Sequence, residues 1–262
     1  MIRAFNSDQH EEAAAALLDD GAIIVRQAAP PKLVSAFRAA LRELIEEDEA
    51  RWGENHPFPG IVHLLPARRK VFFEYVKLPG VLGPMRKILG HGCIVSGTNG
   101  SSVLPNRPNY AREIHVDVPR FIEGYVGMLS CLLALDPFTE ETGGMQIMPG
   151  SFKSPHKPSL DEFEANYEQP ALDPGDAMLF NTRSWHRSGL NRSGRWRHAI
   201  GVSMARPYMR QQFDFPRVLD SVGATPDDEP TRQLMGYHVR MPTSLEEFLL
   251  PPDQRPYRPG QE

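Results

Sequence analysis

Proline is the residue that most constrains how this chain folds. The sequence contains 25 prolines among its 262 residues, roughly twice the average usage of about 5%. Because proline fixes φ and has no backbone N–H to donate, it interrupts helices and the middles of sheets. We therefore expect a fold of short elements that are joined by many turns.

Overall composition and charge exclude two classes of protein. Hydrophobic residues make up 40% of the chain and charged residues 24%, which is ordinary globular composition and not that of a disordered chain. Lysine and arginine number 29 against 33 aspartates and glutamates, a formal net charge of −4. Nucleic-acid-binding proteins usually carry a basic excess or stripe, so we expect no nucleic-acid partner.

The sequence favours a reducing, cytoplasmic location. Its two cysteines, Cys93 and Cys131, are too few for a disulfide-stapled secreted scaffold. Residues 1–20 are acidic and lack the apolar stretch of a signal peptide, and no apolar run is long enough to span a bilayer. We expect no membrane partner, and the sequence leaves the oligomeric state open.

Residues 1–92 predict a helical buttress together with the first strand. A short β-branched run at residues 21–26 predicts the strand. Apolar side chains recur at helical spacing in residues 8–19, 31–50 and 77–89.

From residue 93 the pattern changes to short apolar runs separated by proline, glycine, asparagine and aspartate, which is typical of a β-sandwich or barrel. We predict a β core over residues 93–206. A proline-rich C-terminal segment follows over residues 207–262, and we expect its end to be extended and poorly ordered. No clear boundary separates these parts, so we predict a single domain over residues 1–262.

The first motif with chemical content is Ile114-His-Val-Asp-Val118. In a strand, residues i and i+2 share a face, so His115 and Asp117 would point to one side. An imidazole and a carboxylate side by side can chelate a metal, or they can simply face solvent. The tripeptide alone does not decide between these interpretations.

The second motif is the stretch PGDAMLFNTRSWHRSGLNRSGRWRH. It predicts a strand that ends near His186, a hairpin loop at residues 190–194 and a returning strand. Pairing across that loop places His186 opposite Arg197. Arg195 has the same strand parity and stays the alternative, whereas His198 has the opposite parity and is expected to face away.

A third stretch joins these two and completes a resemblance. It contains an acidic turn and a Gly-Gly pair that opens the next strand. In order, the motifs are HVD (115–117), D-x-F-T-E-E-T-G-G…M-P-G-S (136–151), P-G-D…W-H-R-S-G (174–189) and Arg197. Together they resemble the phytanoyl-CoA dioxygenase-like branch of the iron(II)/2-oxoglutarate dioxygenases, over most of the chain from the first predicted strand to about residue 206.

The resemblance implies a mainly β fold with flanking helices, a double-stranded β-helix (a jelly-roll or cupin-like barrel) buttressed by N-terminal α-helices. It places the Fe(II) ligands at His115, Asp117 and His186, the facial set of two histidines and one carboxylate associated with non-haem iron oxygenases. It also places Arg197, assisted by Ser188, on the far carboxylate of the cosubstrate 2-oxoglutarate, for which the planar guanidinium is well suited.

The activity that the resemblance implies is oxidative decarboxylation of 2-oxoglutarate to succinate, with O₂ as oxidant, coupled to hydroxylation of a small organic substrate. Desaturation or ring closure are related outcomes, and we expect a role in specialised metabolism, such as natural product biosynthesis. Because residue 117 is aspartate and not a small residue, no ligand position is open for chloride, which disfavours halogenation. Asn99, Ser101 and Ser102 are candidates for further contacts with the cosubstrate. The sequence does not indicate the primary substrate.

Two other classes of function stay open from the residues themselves. A zinc-dependent hydrolase could use the same His/Asp/His set around an activated water, but it would have no need for Arg197. A non-catalytic jelly-roll binding protein could keep the fold and lose the metal, although the intact ligand set argues against this.

Overall fold

The computed structural model describes residues 1–106, 110–258 and 261. Within them the strands are β1 (Ala4–Asn6), β2 (Ala22–Arg26), β3 (Ile61–His63), β4 (Ile94–Val103), β5 (Met128–Ala134), β6 (Met145–Ile147), β7 (Ala177–Asn181), β8 (His186–Ser188) and β9 (Arg197–Ala205). The α-helices are α1 (His10–Asp20), α2 (Pro31–Trp52), α3 (Leu65–Arg68), α4 (Phe72–Val76), α5 (Pro79–Leu89), α6 (Leu160–Asn166), α7 (Phe215–Ser221), α8 (Glu229–Leu234) and α9 (Leu245–Phe248). The predicted strand near residue 21 and the three predicted helices correspond to β2, α1, α2 and α5.

Seven strands form one large mixed sheet in the order β1-β2-β7-β5-β9-β4-β3, and β6 pairs with β8 in a separate two-stranded sheet. The pairing of β1 with β2 is parallel, and the other pairings between these strands are antiparallel. In four of the six adjacent pairs of the large sheet, β2/β7, β7/β5, β5/β9 and β9/β4, the two strands are not consecutive in the chain. As a result, residues that are remote in sequence meet on one face of the sheet.

Side chains of the large sheet alternate between two apolar layers, as the two-residue period of a strand requires. Ile23 and Val25 belong to the layer that also contains the buried faces of α1, α2 and α5. Ile24, between them, belongs to a second layer together with Met145 and Ile147 of β6. The first layer thus packs helices on the sheet, and the second fills the space between the two sheets.

Helix α2 supplies much of the helical layer. Phe37, Leu41 and Leu44 lie on its buried face and are fully inaccessible to solvent. Helix α2 begins with Pro31 in its first turn, a position where the missing N–H costs no helical hydrogen bond. Gly100 on β4 lets the helix approach closely, because a Cβ at that position would overlap the side chain of Leu41.

The structure differs from the sequence prediction around both metal-site motifs. Residues 114–118 are not a strand, since His115 makes only an isolated antiparallel bridge with His186. Strand β7 ends at Asn181, a turn follows, and His186 begins β8 where we expected it to end a strand. The predicted hairpin pairing is also wrong, because β8 pairs with β6 whereas β9 pairs with β4 and β5. The loop at residues 190–194 crosses from the small sheet to the large one.

The C-terminal segment is packed more firmly than its proline content suggests. Phe215 and Leu219 of α7 are fully buried in the same apolar layer as the N-terminal helices. The chain end then folds back, since the N–H of Arg258 donates to the carbonyl of His238 at 2.9 Å. The described residues up to 258 are therefore not an extended tail, while residues 259, 260 and 262 lie outside the described part. No helix in the described part is both long and apolar enough to cross a bilayer.

Candidate metal centre

The structure brings His115, Asp117 and His186 together. One potential ligand atom from each lies within 4.8 Å of the others. Asp117 Oδ1 is 3.5 Å from His186 Nε2 and 4.0 Å from His115 Nε2. The two backbones are tied by reciprocal hydrogen bonds of 3.0 Å between His115 and His186, so the bridge replaces the predicted strand in placing these side chains.

Both histidines are oriented by backbone carbonyls. Nδ1 of His115 is 2.8 Å from the carbonyl oxygen of Glu113, and Nδ1 of His186 is 2.9 Å from that of Ser184. A carbonyl can only accept, so each Nδ1 carries the proton and donates. The lone pair of each ring is then on Nε2, which faces Asp117. This is the tautomer that coordination of a metal through Nε2 requires, fixed by a hydrogen bond on the far side of the ring.

Burial also keeps His186 in its neutral form. The residue is 7% exposed, and the ring of Phe180 contacts it edge-on at 5.1 Å between centroids. Removal from water lowers the pKa of His186 below the usual histidine value, and the Asp117 carboxylate opposes that shift only in part. A neutral imidazole offers its lone pair to a cation. Two such nitrogens and one carboxylate oxygen are a donor set that suits Fe(II).

Arg197 lies in the same cavity as these three residues and is 4% exposed. Its Nη2 donates to Ser188 Oγ at 3.4 Å, and its guanidinium carbon lies 4.1 Å from the centre of the Phe138 ring. Among the described residues, Nε and Nη1 of Arg197 have no hydrogen-bond partner. Buried donors without partners are costly, so this guanidinium is set up to receive an acceptor that enters the cavity.

The Arg197 side chain nevertheless keeps its charge at neutral pH. Burial lowers the pKa of Arg197 to about 10, and Asp136 partly offsets that effect. A protonated guanidinium with free donors matches the far carboxylate of 2-oxoglutarate in both charge and geometry. The residues present therefore fit both groups that the sequence motifs imply.

The other residues considered from the sequence separate into two groups. Asn99 and Ser101 line the cavity, and Ser188 lines it beside Arg197. Ser102 instead faces away, where its hydroxyl lies 2.6 Å from Nδ1 of His198. Arg195 is exposed and does not line the cavity, so of the two arginines that the sequence left open, Arg197 is the one that lines it.

The cavity has a volume of about 400 Å³, within the usual range for small-molecule sites of about 300–1,000 Å³. Besides the metal-site cluster, Arg187 and Arg197, the wall combines uncharged polar side chains with apolar ones. They include Ser96, Asn99, Ser130, Ser203, Met128 and Val118. Such a wall suits an organic molecule that has both hydrogen-bonding and hydrocarbon parts.

Comparison with known proteins identifies the family. The sequence pattern described as Phytanoyl-CoA dioxygenase (PhyH) matches residues 17–199, a range that contains the metal-site cluster and Arg197. The chain belongs to the phytanoyl-CoA dioxygenase family. This membership confirms the predicted dioxygenase type of enzyme, and it implies the use of iron and 2-oxoglutarate.

The similarity to known proteins covers most of the chain. Rv1501, an uncharacterised protein of Mycobacterium tuberculosis, is 32% identical over 227 residues, which cover 84% of this chain and 81% of that protein. Among solved structures, the non-haem alpha-ketoglutarate-dependent carbocyclase SnoK from nogalamycin biosynthesis has a TM-score of 0.64 at 19% identity, covering 85% of this chain and 95% of SnoK. The epimerase SnoN from the same biosynthesis has a TM-score of 0.61 at 16% identity, covering 75% of this chain and 83% of SnoN. These likenesses confirm the predicted fold class, a jelly-roll core with flanking helices.

Sequence reasoning missed two hydroxyls beside the metal-site cluster, those of Ser130 and Ser203. Ser130 Oγ donates to Asp117 Oδ2 at 3.0 Å, and it lies 2.9 Å from Ser203 Oγ. The signal was present in the sequence, because Ser130 interrupts the apolar run of β5. A lone serine among buried apolar residues needs a hydrogen-bond partner, but the sequence did not show which one.

Proposed function

We propose that this protein is a non-haem Fe(II)/2-oxoglutarate-dependent dioxygenase that hydroxylates, or otherwise oxidises a C–H bond of, a small organic substrate. One observation carries the proposal: the His115/Asp117/His186 cluster and the buried, partly unpaired guanidinium of Arg197 open into the same cavity. The first is a set of metal ligands and the second is a receptor for a carboxylate. A metal-bound keto-dicarboxylate requires both in one site.

Each residue has a separate task in this proposal. His115, Asp117 and His186 would hold the iron through two nitrogens and one oxygen and leave its other coordination positions open. Arg197, with Ser188, would bind the far carboxylate of 2-oxoglutarate and so fix the orientation of its keto-acid end. The guanidinium lies against the ring of Phe138 and is almost completely removed from water, which would strengthen an ion pair with the carboxylate. Once bound, iron and 2-oxoglutarate supply the activation of O₂ and the oxidising power.

The substrate would occupy the remainder of the cavity. Its wall combines amide and hydroxyl groups with apolar side chains, and this supports a small, partly oxygenated molecule. The likeness in fold to SnoK and SnoN, both named for nogalamycin biosynthesis, supports a place in specialised metabolism and leaves ring closure as a variant of the same C–H oxidation.

A zinc-dependent hydrolase is the weaker interpretation of the same cluster. It would use the two imidazoles and the carboxylate to hold the metal and activate a water. Such an enzyme has no task for a buried arginine that keeps two donors unpaired in the same cavity. The free donors of Arg197 therefore favour the dioxygenase.

The test is anaerobic addition of Fe(II) and 2-oxoglutarate to the purified protein. We expect a visible charge-transfer band that needs both additions, and we expect the band to be missing in His186→Ala. On admission of O₂, succinate should form, and the yield across a panel of metabolites identifies the substrate. A folded wild-type protein that shows no band under these conditions would contradict the proposal.

A further inference from the structure

The two oxygens of the Asp117 carboxylate have different surroundings. Oδ1 faces the Nε2 atoms of His186 and His115, at 3.5 and 4.0 Å. Oδ2 points the other way and accepts a hydrogen bond of 3.0 Å from Ser130 Oγ. Of the two oxygens, Oδ1 is therefore the one that faces the two imidazole nitrogens.

Ser130 is held by a second hydroxyl on the neighbouring strand. Ser130 of β5 and Ser203 of β9 are direct partners in the antiparallel register, and their Oγ atoms are 2.9 Å apart. Leu129 and Cys131, which flank Ser130, belong to the helical layer, so the alternation of the strand directs Ser130 to the cavity side of the sheet. The hydroxyl pair is thus built by the pairing of two central strands.

The number of protons fixes the direction of this chain of hydrogen bonds. A carboxylate only accepts, so the single hydroxyl proton of Ser130 is directed at Asp117. Ser130 can then only accept from Ser203, which must be the donor of that pair. The Ser203 hydroxyl therefore donates to Ser130, and the Ser130 hydroxyl donates to Asp117. A serine that is 5% exposed and bonded on both sides has little freedom to turn away.

We propose that Ser130, supported by Ser203, is a positioning residue that holds Asp117 as a ligand through one oxygen. The proposal rests on the proposed function, since it concerns the iron ligand of that site. With Oδ2 bonded to Ser130, the carboxylate presents Oδ1 alone to the metal position, and the coordination positions for cosubstrate and O₂ stay free. Partners of this kind orient metal ligands, and their loss typically costs about 10- to 100-fold in metal affinity.

The experiment measures the dissociation constant of Mn(II) alone, by electron paramagnetic resonance of the free ion, in the full-length protein. We expect Ser130→Ala to weaken Mn(II) binding about 10- to 100-fold and Ser130→Thr, which keeps the hydroxyl, to restore most of it. Ser203→Ala should have a smaller effect, because Ser130 can still donate to Asp117.

Ser102→Ala is the matched control. Ser102 is a serine of the same sheet, 3% exposed and hydrogen-bonded to His198 outside the cavity, so its loss perturbs folding in a similar way without touching Asp117. We expect it to leave Mn(II) binding unchanged. Circular dichroism and the thermal midpoint of each variant confirm that the fold is retained.

The outcomes separate the two proposals. Unchanged Mn(II) affinity in folded Ser130→Ala, or an equal loss in Ser102→Ala, overturns the role of Ser130 and leaves the proposed function standing. An equal loss in Ser130→Thr also overturns it, because the hydroxyl would then not be the cause. If wild-type protein binds Mn(II) no better than His186→Ala, the metal site itself is absent, and both proposals fail.

Discussion

Arg197 is a buried cation that the fold leaves only partly paired. Its contact with Ser188 Oγ is long, at 3.4 Å, and two of its donor atoms have no partner among the described residues. The stacked ring of Phe138 contributes an attraction to the charge but no hydrogen bond. At the scale of a single residue, the structure thus keeps a desolvated positive charge ready for an anion.

Replacing Arg197 by alanine should weaken 2-oxoglutarate binding strongly. Truncating one partner of a buried, hydrogen-bonded charge pair costs about 2 kcal/mol or more, which corresponds to a rise in the apparent KM for 2-oxoglutarate of at least about 30-fold. Mn(II) affinity should not change, because Arg197 is not among the potential metal ligands. The control is Arg195→Ala, two residues earlier and exposed. Unchanged KM in Arg197→Ala, with an increase in Arg195→Ala, would transfer the role to Arg195.

The loop between β8 and β9 is the element that joins the metal-site cluster to Arg197. The chain leaves the small sheet at Ser188 and enters the large sheet at Arg197. Glycines allow close packing where the loop starts: Gly143 has φ of +71°, and a Cβ there would lie 2.6 Å from the carbonyl oxygen of Gly189. The glycines of the T-G-G and H-R-S-G motifs are therefore needed where two backbones meet.

Asn191 anchors this loop and is fully buried. Its Nδ2 donates to the carbonyl oxygens of Val103 and Arg195, at 3.0 and 2.6 Å, and its Oδ1 accepts from the backbone N–H and the hydroxyl of Ser193, at 3.0 and 2.7 Å. The side chain thereby ties the end of β4 to the segment that precedes Arg197.

The variant Asn191→Ala should be destabilised and should bind 2-oxoglutarate less well. Its buried partners lose their hydrogen bonds, at a cost of about 1–3 kcal/mol, and the start of β9 loses its anchor. Urea unfolding and the KM for 2-oxoglutarate measure the two effects. Arg192→Ala, at the exposed neighbouring position, is the control. Wild-type stability in Asn191→Ala would show that the loop is held by other contacts.

Across the whole molecule, folding removes three described histidines outside the candidate metal centre from water, at least in part. The pKa values of His63, His198 and His238 are all lowered from the usual histidine value, chiefly by burial. Neighbouring carboxylates, such as Asp136 near His198 and Glu229 beside His238, oppose the shift without reversing it. The folded protein therefore binds fewer protons at these sites than the unfolded chain.

The stability of the protein should fall on mild acidification. Because the unfolded chain binds more protons, the free energy of unfolding is at its full value above the ordinary histidine pKa of about 6.5 and is lost as the pH falls through that value towards the lowered pKa values. Urea unfolding at about pH 7.5 and about pH 5.5 brackets this change. The double variant His198→Gln/His238→Gln should lose less unfolding free energy between the two pH values than the wild type. The control is His91→Gln, at an exposed position, which should lose as much as the wild type. Equal stability at the two pH values would contradict the prediction.

Local patterns predicted the elements well and their pairing poorly. The apolar spacing located α1, α2 and α5 because each helix buries one face on the sheet. The hairpin between His186 and Arg197 was a wrong assumption, since a two-residue period gives the face of a residue and not its partner strand. Arg197 still enters the cavity, but it does so from the large sheet, next to Val103. The role of Ser130 could not be predicted for the same reason, because its partner Ser203 lies on another strand, 73 residues later in the chain.

The chemical groups and the order of the motifs are properties of the sequence, and they were enough to indicate the family and the candidate ligands His115, Asp117 and His186. These follow from residue identity and local spacing, which the chain carries whether or not it is folded. The tertiary structure decided which strands lie side by side. It therefore also decided that the guanidinium of Arg197 is buried with free donors and that two serine hydroxyls line up behind Asp117. Burial and hydrogen bonding of these groups depend on residues that are distant in the chain. Those residues come into contact only when the two sheets pack around the cavity.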